Sequence, residues 1–105
     1  MAEKWQYLGT LREHPEAFGE LEIFMREADF ELAGWMWCLH CERAYEVGSL
    51  RVYNGGRERR LNCAVEGCDG SPHDWTPWHP DEWPRNANPD NPEVPEAFRR
   101  YPLYA

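Results

Sequence analysis

The residues best suited to chemistry in this chain are four cysteines in two close pairs. Cys38-Leu-His-Cys41 and Cys63-Ala-Val-Glu-Gly-Cys68 are spaced C-x2-C and C-x4-C, with 21 residues between the pairs. A C-x2-C turn points two thiolates at one ion, while the intervening backbone N–H groups soften the sulfur charge. The second pair runs into Gly67-Cys68-Asp69-Gly70, where glycines permit a tight turn. The spacer is long enough for a strand, a turn and a returning strand, which brings the second pair back beside the first. Paired cysteines of this kind mean metal far more often than disulfides in a reducing compartment. The expectation is one structural Zn²⁺ held by Cys38, Cys41, Cys63 and Cys68, in a closed site with no open coordination position. The alternatives are free or disulfide-bonded thiols, or iron, which also accepts four thiolates in a tetrahedron.

Other polar groups are weaker candidates. His40 lies within the first pair, and His73 and His79 follow the second. Four cysteines already complete a tetrahedral site, so these histidines are read as surface or supporting groups. His73-Asp74 lacks a nucleophile or an open metal position beside it, so no catalytic residue is assigned and no enzyme activity is expected. Arg51, Arg57, Arg59 and Arg60 surround Asn54-Gly55-Gly56 and form the one basic patch. They are either a contact surface for nucleic acid or an acidic protein, or solvated residues that protect a sheet edge. Among the six tryptophans, Trp78 and Trp83 are separated by prolines and would suit protein recognition if exposed. The rest are read as core.

The elements that must position these groups are legible in part. Across residues 1–33, Phe18, Leu21, Met25 and Ala28 recur at spacings of three and four, behind Pro15 and three glutamates. That pattern predicts a helix over 15–28. Extended structure is the alternative, because Leu21, Ile23 and Met25 also alternate, and residues 29–33 are read as a possible strand. In the second zone, 34–76, Trp35 and Trp37 alternate into Cys38, and Arg43, Tyr45 and Val47 alternate out of Cys41. Arg51–Tyr53, the turn at Asn54-Gly55-Gly56 and Arg59–Asn62 read as a hairpin. The third zone, 77–105, holds seven of the nine prolines, which exclude a long helix or a central strand. It also carries Trp78, Trp83, Phe98, Tyr101, Leu103 and Tyr104, too many large apolar groups for a solvated tail. It is read as an extended arm wrapped on the ribbon, with one helical turn at 96–100 and a weakly anchored stretch at 85–91.

These zones define a small α+β protein: an N-terminal helix, a zinc ribbon of short antiparallel hairpins around a four-cysteine zinc site, and an extended Pro- and aromatic-rich C-terminal arm. With six Trp, five Tyr and four Phe among 105 residues, a core of stacked rings is expected rather than layers of Leu, Ile and Val.

The run Trp37-Cys-Leu-His-Cys-Glu-Arg-Ala-Tyr45, the Cys63…Cys68-Asp-Gly70 turn and the ending Asn91-Pro-Glu-Val-Pro95…Tyr101-Pro-Leu-Tyr104 resemble a group of small uncharacterised bacterial zinc-ribbon proteins. The similarity covers about residues 35–105. It implies a zinc-ribbon fold and brings no particular activity with it.

Charge separates the function classes. Formal net charge is −8. Residues 1–36 carry −5, residues 37–70 are balanced, and residues 71–105 carry −3. Phosphate-tracking proteins need the opposite balance, so nucleic acid and anionic membranes are disfavoured. The N-terminus lacks the basic start and apolar run of a signal peptide, and no stretch approaches a membrane span. The expectation is a cytoplasmic, non-enzymatic zinc ribbon that binds another protein as an adaptor or accessory subunit. A nucleic-acid-associated ribbon using the Arg51–Arg60 hairpin, within a transcription or translation complex, is the runner-up. An iron-type electron carrier or small redox enzyme is the third reading.

Overall fold

A computed structural model describes residues 5–17, 30–56, 59–68, 70, 74–78 and 90–102. Six short strands carry the fold: β1 (Gln6–Thr10), β2 (Trp35–Cys38), β3 (Ala44–Glu46), β4 (Arg51–Asn54), β5 (Arg59–Asn62) and β6 (Trp75–Pro77). They form two three-stranded antiparallel sheets, ordered β1-β4-β5 and β3-β2-β6. A 3-10 turn at Val47–Ser49 passes the chain from β3 in the second sheet to β4 in the first.

The first sheet is built on the expected hairpin. Asn54 pairs with Arg59 and Arg51 with Asn62, so the hairpin forms as expected, but Asn54 ends β4 and the left-handed backbone of the connection falls at Gly56, with φ +91°. Gly55 is required by close approach, since a Cβ there would sit 2.6 Å from the Trp5 ring folded over the turn. β1 completes this sheet by pairing Gln6 with Asn54 and Thr10 with Arg51. The register shifts between Tyr7 and Gly9, and Gly9 takes φ +137°, so a glycine supports the bulge. The Thr10 N–H donates to the Glu13 carboxylate at 2.8 Å, which closes the turn after β1 and holds the Glu13 carboxyl below its ordinary range.

The second sheet grows from the first cysteine pair. β2 and β3 flank the C-x2-C turn and pair Trp35 with Glu46 and Trp37 with Ala44. β6 adds to the other side of β2, pairing Cys38 with Trp75 and Met36 with Pro77. Pro77 ends an edge strand, one of the few strand positions that tolerates a missing donor. Alternation along β2 separates two cores. Met36 and Cys38 join a cluster with Leu11, Tyr45, Val47, Leu50, Val52, Leu61 and Trp75. Trp37 belongs to a second cluster with Ala44, Trp78 and Tyr101. Trp78 meets Tyr101 edge-on at 5.1 Å between centroids, a pair geometry that contributes about 0.5–1.5 kcal/mol beyond buried area.

The α+β class expected from the sequence is corrected here. Among the described residues every regular element is a strand apart from the one 3-10 turn, so the described fold is all-β. Of the stretch read as a helix, only Glu16 and Ala17 carry helical backbone among the described residues, and residues 18–28 lie outside them. Of the strand considered at 29–33, residue 29 lies outside the described residues, and the rest leads into a turn from Glu31 to Gly34, closed by the Gly34 N–H on the Glu31 carbonyl at 2.9 Å. The helical turn expected at 96–100 is a single turn closed by the Arg99 N–H on the Glu96 carbonyl at 3.2 Å, with Phe98 at φ 65°, a left-handed value that no right-handed helix accommodates. The main core is also more aliphatic than composition implied. Val52 and Leu61 reach it from β4 and β5, and Leu11, Val47 and Leu50 from the turns beside the strands, whereas Trp37 and Trp78 share the smaller cluster.

Candidate metal centre

Each sheet delivers one cysteine pair. Cys38 is the last residue of β2, and its carbonyl accepts the Glu42 N–H at 2.7 Å, closing the turn that carries Cys41. Cys63 follows the last residue of β5, and the Cys68 N–H bonds to the Val65 carbonyl at 3.1 Å to close the second turn. The site therefore sits where the two sheets meet, and an ion held there would tie them together.

The four sulfurs lie within 4.8 Å of one another, with Cys38, Cys63 and Cys68 buried and Cys41 half-buried. Cys38 and Cys68 are separated by 3.9 Å between Sγ atoms, and Cys41 and Cys63 by 3.8 Å. These values are far from a disulfide, whose S–S bond is about 2.0 Å. They match the edge of a tetrahedron with metal–sulfur bonds of about 2.3 Å, which is about 3.8 Å long. The four thiols thus fit one metal ion.

The surroundings are arranged around sulfur as well. The Gly70 N–H donates to Cys68 Sγ at 3.3 Å. A Cβ on Gly70 would stand 2.7 Å from Cys38 Sγ and 3.3 Å from Cys68 Sγ, so the backbone itself walls the site. The Tyr45 hydroxyl, fully buried, lies 2.9 Å from Cys63 Sγ. His40 Nδ1 is 3.4 Å from Cys68 Sγ, placing the ring beside a ligand without replacing one. Without an ion the thiols divide unequally. Cys63 accepts hydrogen bonds from Cys38 and Tyr45, which pull it down to about 5 despite burial. Burial, joined by repulsion from Cys63 and Cys68, pushes Cys41 up to about 12. Donation to Cys63, together with burial, pushes the Cys38 thiol well up. Cys63 is thus the thiol of these three that ionises most readily, while burial and its neighbours oppose charge on Cys38 and Cys41.

The remaining sequence-predicted site residues are dispersed. Arg51 donates from Nε to the Cys63 carbonyl at 2.9 Å and from Nη2 to the Val65 carbonyl at 3.4 Å, so it braces the second cysteine turn from below. Arg59 pairs with Glu16 at 3.1 Å. Arg60 bonds Asn62 Oδ1 at 3.1 Å and lies 5.3 Å from the Trp5 ring centroid. Trp78 is buried, and its indole N–H is shared between the carbonyls of Pro92 and Glu93 at 3.2 and 3.1 Å. Arg57, His73, His79 and Trp83 lie outside the described residues. Sequence reasoning missed Tyr45 and Gly70 as partners of sulfur and read Arg51 as a surface charge. Nothing local marks Tyr45. Gly70, two residues after Cys68, was a usable signal, because backbone packed this close to sulfur leaves no room for a Cβ.

Compared with known protein families, curated proteins and solved structures, the chain matches none. No family or relative therefore supports the resemblance to small zinc-ribbon proteins, and the four-cysteine cluster supports a metal site alone. Among the described residues, no helix is long and apolar enough to cross a membrane.

Proposed function

We propose that the four cysteines hold one structural Zn²⁺ and that the chain is a non-enzymatic zinc ribbon working by binding another protein. The sulfur geometry carries the first half: two measured edges of 3.9 and 3.8 Å, on a site where four protein thiolates fill a tetrahedron and leave no position for substrate. Zinc suits such a donor set and needs no redox partner; iron is the competitor. Free thiols held this close suit a reducing compartment, hence a cytoplasmic protein.

A protein partner is favoured by charge and by how the arginines are used. The net charge of −8 repels phosphate backbones. Arg51, Arg59 and Arg60 all spend hydrogen bonds or ion pairs within the molecule. Tyr7, Leu39, Val94 and Phe98 are the large apolar side chains left substantially exposed among the described residues, and they offer contact surface. One observation supports the nucleic-acid reading. The outer face of the first sheet places Tyr7 against Tyr53 at 5.4 Å, with the Arg51 guanidinium 5.9 Å from the Tyr53 ring, and aromatic–arginine surfaces stack bases.

Native mass spectrometry tests the metal directly. One Zn²⁺ per chain and a colourless protein are expected, and Cys63→Ser should abolish binding and unfold the sheets, because binding energy at such sites is folding energy. Visible charge-transfer absorption would replace zinc with iron. A chain equally stable with and without metal would overturn the structural role. A pulldown comparing zinc-loaded with chelated bait then asks whether a protein is captured only by the folded form.

A further inference from the structure

The C-terminal segment is hydrogen-bonded onto the first cysteine turn. β3 is an edge strand of the second sheet, and the chain itself covers that edge. Arg100 bridges Arg43 in antiparallel fashion, the Phe98 N–H bonds to the Ala44 carbonyl at 2.6 Å, and the Ala44 N–H returns to Arg99 at 3.2 Å. The Tyr101 N–H bonds to the Glu42 carbonyl at 2.7 Å. Side chains repeat the connection: Arg43 donates to the Phe98 carbonyl at 2.7 Å, and Arg100 pairs with the Glu42 carboxylate at 2.7 Å.

The landing points are the neighbours of the metal ligands. Trp37, adjacent to Cys38, donates its buried indole N–H to the Tyr101 carbonyl at 3.0 Å. Glu42, adjacent to Cys41, takes φ 60°, a left-handed conformation that a glutamate holds only where its surroundings enforce it. Tyr45 touches both systems, with its hydroxyl 2.9 Å from Cys63 Sγ and its ring stacked on Phe98 at 5.6 Å. The strap therefore reaches residues bonded or hydrogen-bonded to three of the four ligands.

We infer that docking of the C-terminal strap, residues 96–102, and metal binding at the four cysteines are reciprocally coupled, so that each stabilises the other and metal loss releases the strap. This rests on the reading that the cluster binds metal. A metal that draws Cys38 and Cys41 together preserves the turn presenting the Glu42 and Ala44 backbone to the strap. A docked strap in turn restrains that turn, and linkage requires the two effects to be equal. Release would bare the β3 edge, whose unpaired backbone groups can accept another strand.

The test uses the full-length, zinc-loaded chain and a chromogenic chelator. Phe98→Ala combined with Arg100→Gln should strengthen zinc transfer to the chelator by at least about 5-fold, within the roughly 5- to 150-fold range of typical coupling. Arg12→Gln, which breaks an exposed ion pair to Glu46 on the same strand β3, should leave transfer unchanged. In the unaltered chain, lowering free zinc should speed amide exchange at Phe98 and Tyr101 by a similar factor more than at Leu11 and Arg12. The Leu11 and Arg12 N–H groups bond to Leu50 and Gly48 away from the strap, so strap release is told apart from unfolding of the sheets. That measurement decides the matter if the double variant does not fold. Unchanged transfer from a variant that still binds one zinc, or exchange at both strap amides that rises no more than at Leu11 and Arg12, overturns the coupling and leaves the metal reading standing. An unaltered chain that binds no zinc overturns the metal reading itself.

Discussion

Gly70→Ala is the most informative single substitution, because it adds one methyl group at a place where two of the sulfurs stand closest. The new Cβ would lie 2.7 Å from Cys38 Sγ and 3.3 Å from Cys68 Sγ. The first distance is well inside ordinary contact, so the sulfur or the backbone must move. A Cys38 thiol with no ion bound is held by packing and hydrogen bonding and can turn about its Cα–Cβ bond. A sulfur bonded to an ion cannot, and the strain passes to the backbone of β2 or to the metal bond. Overpacking of this kind costs about 1–3 kcal/mol. The alanine also restricts the unfolded chain, which offsets about 0.4–1 kcal/mol. The expected net loss is about 1–2 kcal/mol in the zinc-loaded protein. For a domain near this size that corresponds to a melting temperature lower by roughly 5–15 °C. The assay is thermal unfolding at fixed free zinc, since ligand concentration itself shifts the midpoint. Gly56→Ala is the comparison: φ is +91° and nothing lies within 4 Å, so its cost is backbone strain with no contact to the site. Chelator competition should show weakened zinc binding for Gly70→Ala beyond any effect of Gly56→Ala. If Gly70→Ala matches the unaltered protein in both melting and zinc affinity, Cys38 is not held where the structure places it and the closed tetrahedron is wrong.

Two further outcomes are expected. Tyr45→Phe removes the buried hydroxyl from Cys63 Sγ while keeping the ring against Phe98, so it should destabilise the zinc-loaded form by about 1.5–3 kcal/mol, the usual worth of a hydrogen bond to a charged group; equal unfolding midpoints for the two proteins would remove Tyr45 from the site. Binding to generic duplex DNA or single-stranded RNA at physiological salt should be weaker than the roughly 10⁻⁴–10⁻⁶ M of non-specific binders. Micromolar binding lost on changing Arg57, Arg59 and Arg60 to Ala would instead favour the nucleic-acid reading.

Several features were legible because their causes are local. The two cysteine spacings name the donor set, and strand-like runs on either side of Asn54-Gly55-Gly56 mark the β4–β5 hairpin, with Gly56 taking the left-handed backbone. Trp35 to Cys38 reads as a strand entering a cysteine turn for the same reason. What the amino-acid order could not convey was which distant segments would pair. β1 exists because Gln6 meets Asn54 and Thr10 meets Arg51, and a five-residue stretch containing a glycine carries little strand signal alone. Arg51 looks like a surface cation until β4 and β5 bring it under the Cys63 and Val65 carbonyls. The strap is set by the same kind of contact, with Trp37 and Tyr101 joined across 64 positions. Donor identity and turn chemistry are properties of neighbouring residues and survive in the sequence. The partners of Tyr45, Arg51 and Tyr101 are properties of the folded chain, fixed by backbone hydrogen bonds and burial that arise only once two small sheets have closed around four sulfurs.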